Sequence, residues 1–351
     1  MNAVHKSGRG ARSARGLLKI GAALAALAVS VTACTSATDS GGSSSSSGSG
    51  GGDLGDGGKN ICVIGGADAF FAVVKNGADA AGSVVKDAGN TYTWISLPTY
   101  DNIGPDMVKL VQQAVSNKCT ALSLPDWVPD SINPAIASAQ DSGLNVFLYN
   151  AGGDELDATG ALGYFGTDEY EAGVAAGEYF AENGAKNVIC VNTSPGSVNI
   201  EARCSGTEDG VKKSGGTSDQ LVLPGKSFGD AAAISNAVKG ALTEDPTIDG
   251  VITISSADAD AADAGIKAAN SEALSGSFDV SENILNRVKD GSQLFAVDQQ
   301  GWLQGWLAVS AAWQYDQYGI LPATNTILTG PALITADNVD TVSAGVKTGQ
   351  R

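Results

Sequence analysis

The chain has 351 residues, of which 43% are hydrophobic and 17% charged, so it can bury a sizeable core and is not disordered throughout. Acidic residues outnumber basic ones by 38 to 21, and the formal charge of -17 disfavours nucleic acid and anionic lipid surfaces as partners. The single histidine, His5, precedes the predicted folded part, which excludes histidine-based catalytic triads and histidine metal sites there.

The chain begins with a predicted export signal, residues 1–33. Residues 1–19 carry five basic side chains and no acidic one, and residues 20–33 form an apolar run that is too short to span a bilayer. The sequence VTAC that ends this run resembles a bacterial lipobox, which implies cleavage before Cys34 and a lipid on its sulfur. The alternative is an ordinary signal peptide followed by a chance cysteine. We therefore expect a lipid-anchored protein on the outer face of the bacterial cell membrane.

A flexible tether is predicted next. Residues 35–58 are almost entirely Gly, Ser, Thr, Ala and Asp, with Leu54 as the only large apolar side chain. Such a composition cannot bury enough surface to offset the entropy of ordering the chain. Residues 34–58 are accordingly assigned to the lipidated cysteine and a Gly/Ser tether.

From residue 60 onward, short β-rich runs alternate with longer segments that have helical apolar spacing, such as 171–183 and 257–269. Continuous βαβ alternation predicts an α/β fold with parallel sheets covered by helices on both faces. About 290 residues suit two domains, and the Gly-rich polar stretch 150–160 is a candidate crossing point between them. The predicted strands are 60–65, 92–97, 121–124, 145–149, 161–166, 187–192, 220–223, 250–255, 277–280, 294–297 and 326–333.

Four cysteines lie in this body: Cys62, Cys119, Cys190 and Cys204. An even number in an exported protein favours two disulfides, although four cysteines allow three pairings. Cys62 and Cys119 open neighbouring predicted strands, while Cys190 lies on a strand and Cys204 on the helix after it, which favours the pairs Cys62–Cys119 and Cys190–Cys204. Four buried free thiols are the alternative. No CxxC pair occurs, so no metal site is expected.

Polar side chains follow nearly every predicted strand. In open α/β sheets, ligands bind beyond the carboxyl ends of the strands. Any one of these residues could instead cap a helix, but the set as a whole predicts a ligand site. Its candidate members are Asp68, Asp126, Asn150, Asn199, Asp258, Asp279, Gln299 and Gln300.

Several segments of the body have the character of family signatures, and the most specific is AVDQQGWLQGWLAV at 296–309. The others are ILTGPALITADNVD at 327–340, GTDEYEAGVAAGEYF at 166–180, 196–206 with Asn199 and Arg203, and SFDVSENILNRVKDG at 277–291. By these segments, and over the whole body from Asn60 to about Val346, the chain resembles the sugar-binding branch of the type I periplasmic binding proteins, the substrate-binding subunits of ABC importers.

The resemblance implies two doubly wound lobes joined by three crossovers, which enclose a sugar on hinge closure. The first lobe would comprise 59–153 plus 299–325, and the second 154–298 plus 326–351. Such a receptor is a monomer without cofactor or catalysis that delivers a neutral monosaccharide or polyol to an ABC permease.

The resemblance also assigns roles to individual residues. It implies that Arg203 donates to the sugar, that Asp279 is the acidic strand-end ligand, and that Gln299 or Gln300 is the hinge glutamine. Salt bridging on a helix face is the alternative for Arg203, helix capping for Asp279, and bonding to hinge backbone for Gln300.

Three aromatic residues, Phe70, Phe71 and Trp127, are candidates for stacking on the apolar face of a sugar ring, with core packing as the alternative. One position departs from the family, because Ala259 stands where relatives have an asparagine. Asp258 or Asp260 could replace that contact, or it could be absent.

Two other functions are compatible with these residues. One is a receptor of the same fold for a non-sugar small molecule, such as a nucleoside or a signalling furanone. The other is an extracellular glycoside hydrolase that uses two carboxylates, although no carboxylate pair is singled out by the sequence. The scarcity of basic residues disfavours a multiply charged anionic ligand.

Overall fold

The structure, a computed structural model, describes residues 58–351. The predicted signal peptide, Cys34 and the predicted tether up to residue 57 lie outside the described residues. Within residues 58–351 the chain forms twelve strands and eleven α-helices. The strands are β1 (Asn60–Gly65), β2 (Thr91–Ser96), β3 (Ala121–Leu124), β4 (Asn145–Tyr149), β5 (Tyr164–Thr167), β6 (Asn187–Asn192), β7 (Thr217–Val222), β8 (Gly250–Thr253), β9 (Leu274–Phe278), β10 (Phe295–Asp298), β11 (Thr326–Gly330) and β12 (Ala332–Ile334).

Helices alternate with these strands, as the apolar spacing predicts. Several begin at acidic or hydroxyl caps whose side chains accept backbone N–H groups, for example Asp68, Asp168 and Ser281. The helices are α1 (Ala69–Asp87), α2 (Ile103–Ser116), α3 (Pro129–Asp141), α4 (Leu156–Thr159), α5 (Glu169–Glu182), α6 (Val198–Lys212), α7 (Ala231–Glu244), α8 (Ser256–Ala268), α9 (Glu282–Asp290), α10 (Gly301–Tyr318) and α11 (Val339–Lys347). None of these helices combines the length and the apolar character needed to cross a membrane.

The strands form two six-stranded sheets, which confirms the predicted α/β fold. The first sheet has the order β2-β1-β3-β4-β5-β11 and is parallel throughout. The second has the order β7-β6-β8-β9-β10-β12 and is parallel except for β12, which runs antiparallel to β10. The strand order reverses beside β1 and beside β6, so a cleft opens at the carboxyl ends of both sheets.

Two strands lie in a different sheet from the one predicted. β5 pairs with β4 through Leu148 opposite Tyr164, and β11 pairs with β5, so both complete the first sheet. The predicted lobe limits at 153/154 and 325/326 therefore fall one strand too early. The single strand predicted over 326–333 is two strands in different sheets, because Pro331 has no N–H with which to continue a ladder.

Two disulfides fasten the sheets to neighbouring elements, as predicted. Cys62 of β1 is bonded to Cys119, just before β3, with 5.8 Å between their Cα atoms. Cys190 of β6 is bonded to Cys204 of α6, with 5.6 Å between their Cα atoms. The second bond fixes α6, the helix that carries Arg203, to β6, the strand that precedes it.

Candidate functional site

A cavity lies between the carboxyl ends of the two sheets, and the space free of protein atoms in it and at its solvent-open mouth is about 460 Å³. Nine residues predicted from the sequence line it: Asp68, Phe70, Phe71, Trp127, Asn150, Asn199, Arg203, Asp279 and Gln299. The structure adds eight that the sequence analysis did not single out: Tyr100, Ile103, Ser194, Ser197, Ile200, Phe228, Ile254 and Ser255.

Asp68 is both a helix cap and a cavity carboxylate. Its Oδ1 accepts the backbone N–H groups of Phe70 at 2.8 Å and Phe71 at 3.2 Å, and its Oδ2 accepts the hydroxyl of Tyr100. Burial raises the pKa of Asp68, and these hydrogen bonds oppose that rise. The cap orients the carboxylate, and the aromatic side chains that follow it form one wall of the cavity.

Aromatic side chains from both sides of the cavity form this wall. Phe71 and Trp127 pack edge to face with centroids 5.5 Å apart, and both are nearly buried. Tyr100 from the first half of the body lies 4.7 Å from Phe228 of the second half, centroid to centroid. Such rings offer apolar faces to the C–H groups of a carbohydrate. Phe71 therefore both packs in the core and lines the cavity.

Arg203 is almost fully buried and is held in place on three sides. Its Nε and Nη2 donate to the two carboxylate oxygens of Glu169 at 2.7 and 2.9 Å. Its Nη1 donates to the carbonyl of Ile254 at 2.6 Å, and its guanidinium lies 4.6 Å from the ring centroid of Phe278. Burial raises the pKa of Glu169, and the guanidinium opposes this rise. The arginine thus reaches the cavity in one fixed orientation.

Glycines bring Glu169 and Arg203 together. Gly173 and Gly177 of α5 face Gly206 and Gly210 of α6, so the two backbones approach closely. A Cβ at Gly173 would lie 2.3 Å from the carbonyl oxygen of Arg203, which no side chain allows. The four-residue spacing of glycines on both helices was the signal in the sequence that could have revealed this contact.

Asp279 follows β9 and reaches the cavity from a positive φ of 64°, as Asn150 does after β4. Positive φ is uncommon for residues other than glycine and is often found at functional sites. Asp279 accepts a hydrogen bond from Nε2 of Gln299, and burial raises the pKa of Asp279 to about 7. Among the described atoms, Oε1 of Gln299 is buried without a hydrogen-bond partner.

Gln300 does not line the cavity. It has a φ of 56°, its N–H donates to Asp298, and its Nε2 donates to the carbonyl of Thr329 at 2.6 Å. Its side chain therefore holds the crossover strands together, which was the alternative role. Gln304, which the sequence analysis did not single out, extends this network by donating to the carbonyl of Gln299 at 3.2 Å.

Asp258 and Asp260 do not reach the cavity either. Asp258 accepts the hydroxyl of Thr193 at 2.5 Å and the N–H of Gly229 at 2.9 Å, so it joins two loops. Asp260 pairs with Arg287 at 2.5 Å. The polar group at the end of β8 that does line the cavity is Ser255.

Asp126 is fully buried but does not line the cavity. Both of its carboxylate oxygens lack a hydrogen-bond partner among the described atoms. Burial, with a smaller effect of Glu155, raises the pKa of Asp126 to about 7. Asp126 was predicted to contact the ligand, but the structure does not place it among the residues that line the cavity.

Contacts across the cavity hold its two sides together. The N–H of Val198 at the start of α6 donates to the carbonyl of Trp127 at 2.9 Å, and Tyr100 packs on Phe228. In the described part of the chain, no group of three or more His, Cys, Asp or Glu side chains could hold a metal ion. The site thus offers carboxylates, amides, hydroxyls, one guanidinium and aromatic faces.

Comparison with known proteins is consistent with this arrangement. The family model of the periplasmic binding protein domain matches residues 61–318. A carbohydrate transporter from Acidothermus cellulolyticus, solved in complex with myo-inositol, is 31% identical with a TM-score of 0.76, and the match covers 84% of this chain and 100% of that one. An ABC transporter solute-binding protein from Burkholderia graminis, solved with D-arabinose, is 24% identical with a TM-score of 0.70, covering 82% of this chain and 97% of that one.

A curated relative, the xylose/arabinose-binding protein of Sulfolobus acidocaldarius, is 24% identical over 265 residues, which are 71% of this chain. The match spans 64% of the length of that relative. The family model covers well over half of the present chain, and the two sheets have the arrangement of its structural neighbours. The chain belongs to the periplasmic binding protein family, with the type I fold of its sugar-binding branch.

Proposed function

We propose that the protein is an extracytoplasmic substrate-binding lipoprotein of an ABC importer, which binds a neutral monosaccharide or related polyol between its two lobes. The observation that carries the proposal is the convergence of Asp68, Arg203, Asp279 and an aromatic wall on one cavity at the carboxyl ends of both sheets. The ligand is released unaltered to a membrane permease.

The chemistry of the cavity suits an uncharged, hydroxyl-rich ligand. Each hydroxyl both donates and accepts, so it can bond the carboxylates of Asp68 and Asp279 and accept from Arg203. Myo-inositol and D-arabinose, bound by two of the structural neighbours, are ligands of this class. The ion pair with Glu169 balances the charge of Arg203, which weakens the attraction of the site for an anionic ligand.

The receptor would be held at the outer face of the cell membrane. Cys34 would carry the lipid, and residues 35–58 would act as the tether that lets a monomer move between solution and permease. The two lobes, each built on one sheet, would open and close about the crossovers near Asp168, Gln299 and Pro331.

A thermal-shift screen tests the proposal. Myo-inositol, D-arabinose, D-xylose, D-glucose and D-galactose are compared, with adenosine as a non-sugar control. At least one polyol is expected to raise the Tm in a concentration-dependent way, because a ligand that binds only the native state stabilises it. Recovery of the ligand unchanged, without cleavage of aryl glycosides, is expected as well. A shift with adenosine alone, or release of sugar from the glycosides, would contradict the proposal.

A further inference from the structure

Glu169 occupies an unusual place beside the ligand cavity. It does not line that cavity but a neighbouring one, and it reaches Arg203 from the start of α5. The exposed fraction of its side chain is 7% and that of Arg203 is 3%, so solvent screens this ion pair little.

The pair fixes the charge that a ligand meets. Among the described residues that line the ligand cavity, Arg203 is the only basic one, beside the carboxylates of Asp68 and Asp279. Both oxygens of Glu169 accept N–H groups from Arg203. A protonated carboxyl would need an acceptor for its O–H, and a guanidinium has only donors. We therefore take Glu169 as ionised. The positive charge of the cavity is thereby cancelled before any ligand arrives.

We infer that Glu169 determines the specificity of the site for uncharged over anionic sugars, by neutralising the one guanidinium that could otherwise bind a carboxylate or phosphate group. The inference rests on the proposed function of the same site. Glu169 acts through Arg203 and is a positioning residue, and its geometry leaves one N–H on each Nη of the arginine for a hydroxyl. An anionic ligand would be repelled by the carboxylates of Asp68 and Asp279, and the only guanidinium in the described lining is already paired with Glu169.

Three matched pairs of probes test this inference by calorimetry: D-glucose with D-glucuronate, D-galactose with D-galacturonate, and myo-inositol with myo-inositol 1-phosphate. Each pair keeps the ring and changes the charge. The wild-type protein is expected to bind the neutral member of at least one pair and to bind its anionic partner more than tenfold more weakly.

In the Glu169→Gln variant the guanidinium loses its bidentate counter-ion. The ratio of anionic to neutral affinity is therefore expected to rise by about tenfold, as one charge acting over a few ångströms in a weakly screened site would give. The double variant Glu169→Gln/Arg203→Gln removes both charges and serves as the matched control. In this double variant the ratio of anionic to neutral affinity is expected to return to the wild-type value, even if the affinity for the neutral probe is lower.

A purely structural role for Glu169 would weaken both members of a pair equally, and an unchanged ratio in Glu169→Gln would overturn the inference. Equal binding of neutral and anionic probes by the wild-type protein would do the same, without any variant having to fold, and would leave the proposed function standing. Failure of the wild-type protein to bind any neutral sugar or polyol would overturn the proposed function itself, and the inference with it.

Discussion

Arg203 and Asp279 are the two charged side chains whose placement most directly supports polyol binding. Both are buried, both line the cavity, and each is fixed by a partner, Glu169 for the arginine and Gln299 for the aspartate. A ligand that bonds them meets groups that need no rearrangement, which lowers the entropic cost of binding.

Truncation of either residue is therefore expected to weaken binding of the best polyol. Arg203→Ala or Asp279→Ala removes a charged hydrogen-bonding partner and should cost about 1.5 to 3 kcal/mol, or roughly ten to a hundredfold in Kd. Calorimetric titration measures this loss. Arg287→Ala is the matched control, because Arg287 pairs with Asp260 away from the cavity. Equal affinity in the Arg203, Asp279 and Arg287 variants would refute the assignment.

The buried carboxyl of Asp126 is expected to make the free energy of unfolding depend on pH. Its pKa is about 7 in the folded protein, because of burial, against an ordinary value of 3.8. Between these values the folded state binds more protons than the unfolded state, so the free energy of unfolding falls as the pH rises from about 4 to 7. The Asp126→Asn variant lacks this effect and should gain about 2 kcal/mol relative to the wild type between pH 5 and pH 8.

Urea unfolding of both proteins at the two pH values measures this difference. A variant whose stability follows the same pH profile as the wild type would show that Asp126 titrates normally.

The strand-end residues show how far the sequence alone leads. Their positions predict a polar site, and Asp68, Asn150 and Asp279 are indeed brought to one cavity. Asp258 is turned away because its partners, Thr193 and Gly229, come from loops distant in sequence. Contacts of that kind depend on the packing of whole elements, and no local pattern encodes them.

At the scale of elements, the contact between α5 and α6 decides where the guanidinium lies. Glycines on both helices remove the side chains that would otherwise hold the helices apart, and this brings Glu169 within hydrogen-bonding distance of Arg203. The site therefore depends on residues that do not themselves line the cavity.

Gly173→Ala tests this dependence. The added Cβ would meet backbone 2.3 Å away, so the helices must separate, and a loss of more than about 2 kcal/mol in the free energy of unfolding is expected. Binding of the polyol should weaken as well, because Arg203 moves with α6. Gly240→Ala is the control: this helical glycine of α7 has open space around it, so alanine should stabilise by about 0.5 to 1 kcal/mol.

Both quantities are accessible by urea unfolding and by titration of the same samples. Similar effects of the two substitutions would show that helix propensity, and not the close approach, dominates.

Most strands are predictable because buried parallel strands read as continuous apolar runs, as in β1, β4 and β6. The segment 326–333 is an exception. Its sequence, TILTGPAL, is interpreted as one strand, whereas its two halves belong to different sheets, and the Gly330-Pro331 pair is the local sign of the break. The sheet in which a strand lies is a long-range property that composition does not carry.

For the molecule as a whole, contacts across the cavity join the two halves of the body. Tyr100 packs on Phe228, and the N–H of Val198 bonds the carbonyl of Trp127. Phe228→Ala removes the aromatic contact and should favour the open form, so the polyol affinity should fall by about tenfold or more. In small-angle X-ray scattering, the variant should require more ligand than the wild type before its radius of gyration decreases. Phe180→Leu, a buried change in the second half far from the cavity, should leave that ligand requirement unchanged.

The return of the chain to the first sheet has a practical consequence. A fragment that stopped at Asp298 would leave β5 without its neighbour β11 and α1 without the cover that α10 provides, and it would bare apolar side chains along both. Neither half of the body is therefore a contiguous piece of gene, and attempts to express one half alone should yield aggregates. Splitting this receptor for a reporter assay would have to keep 299–330 joined to the amino-terminal segment.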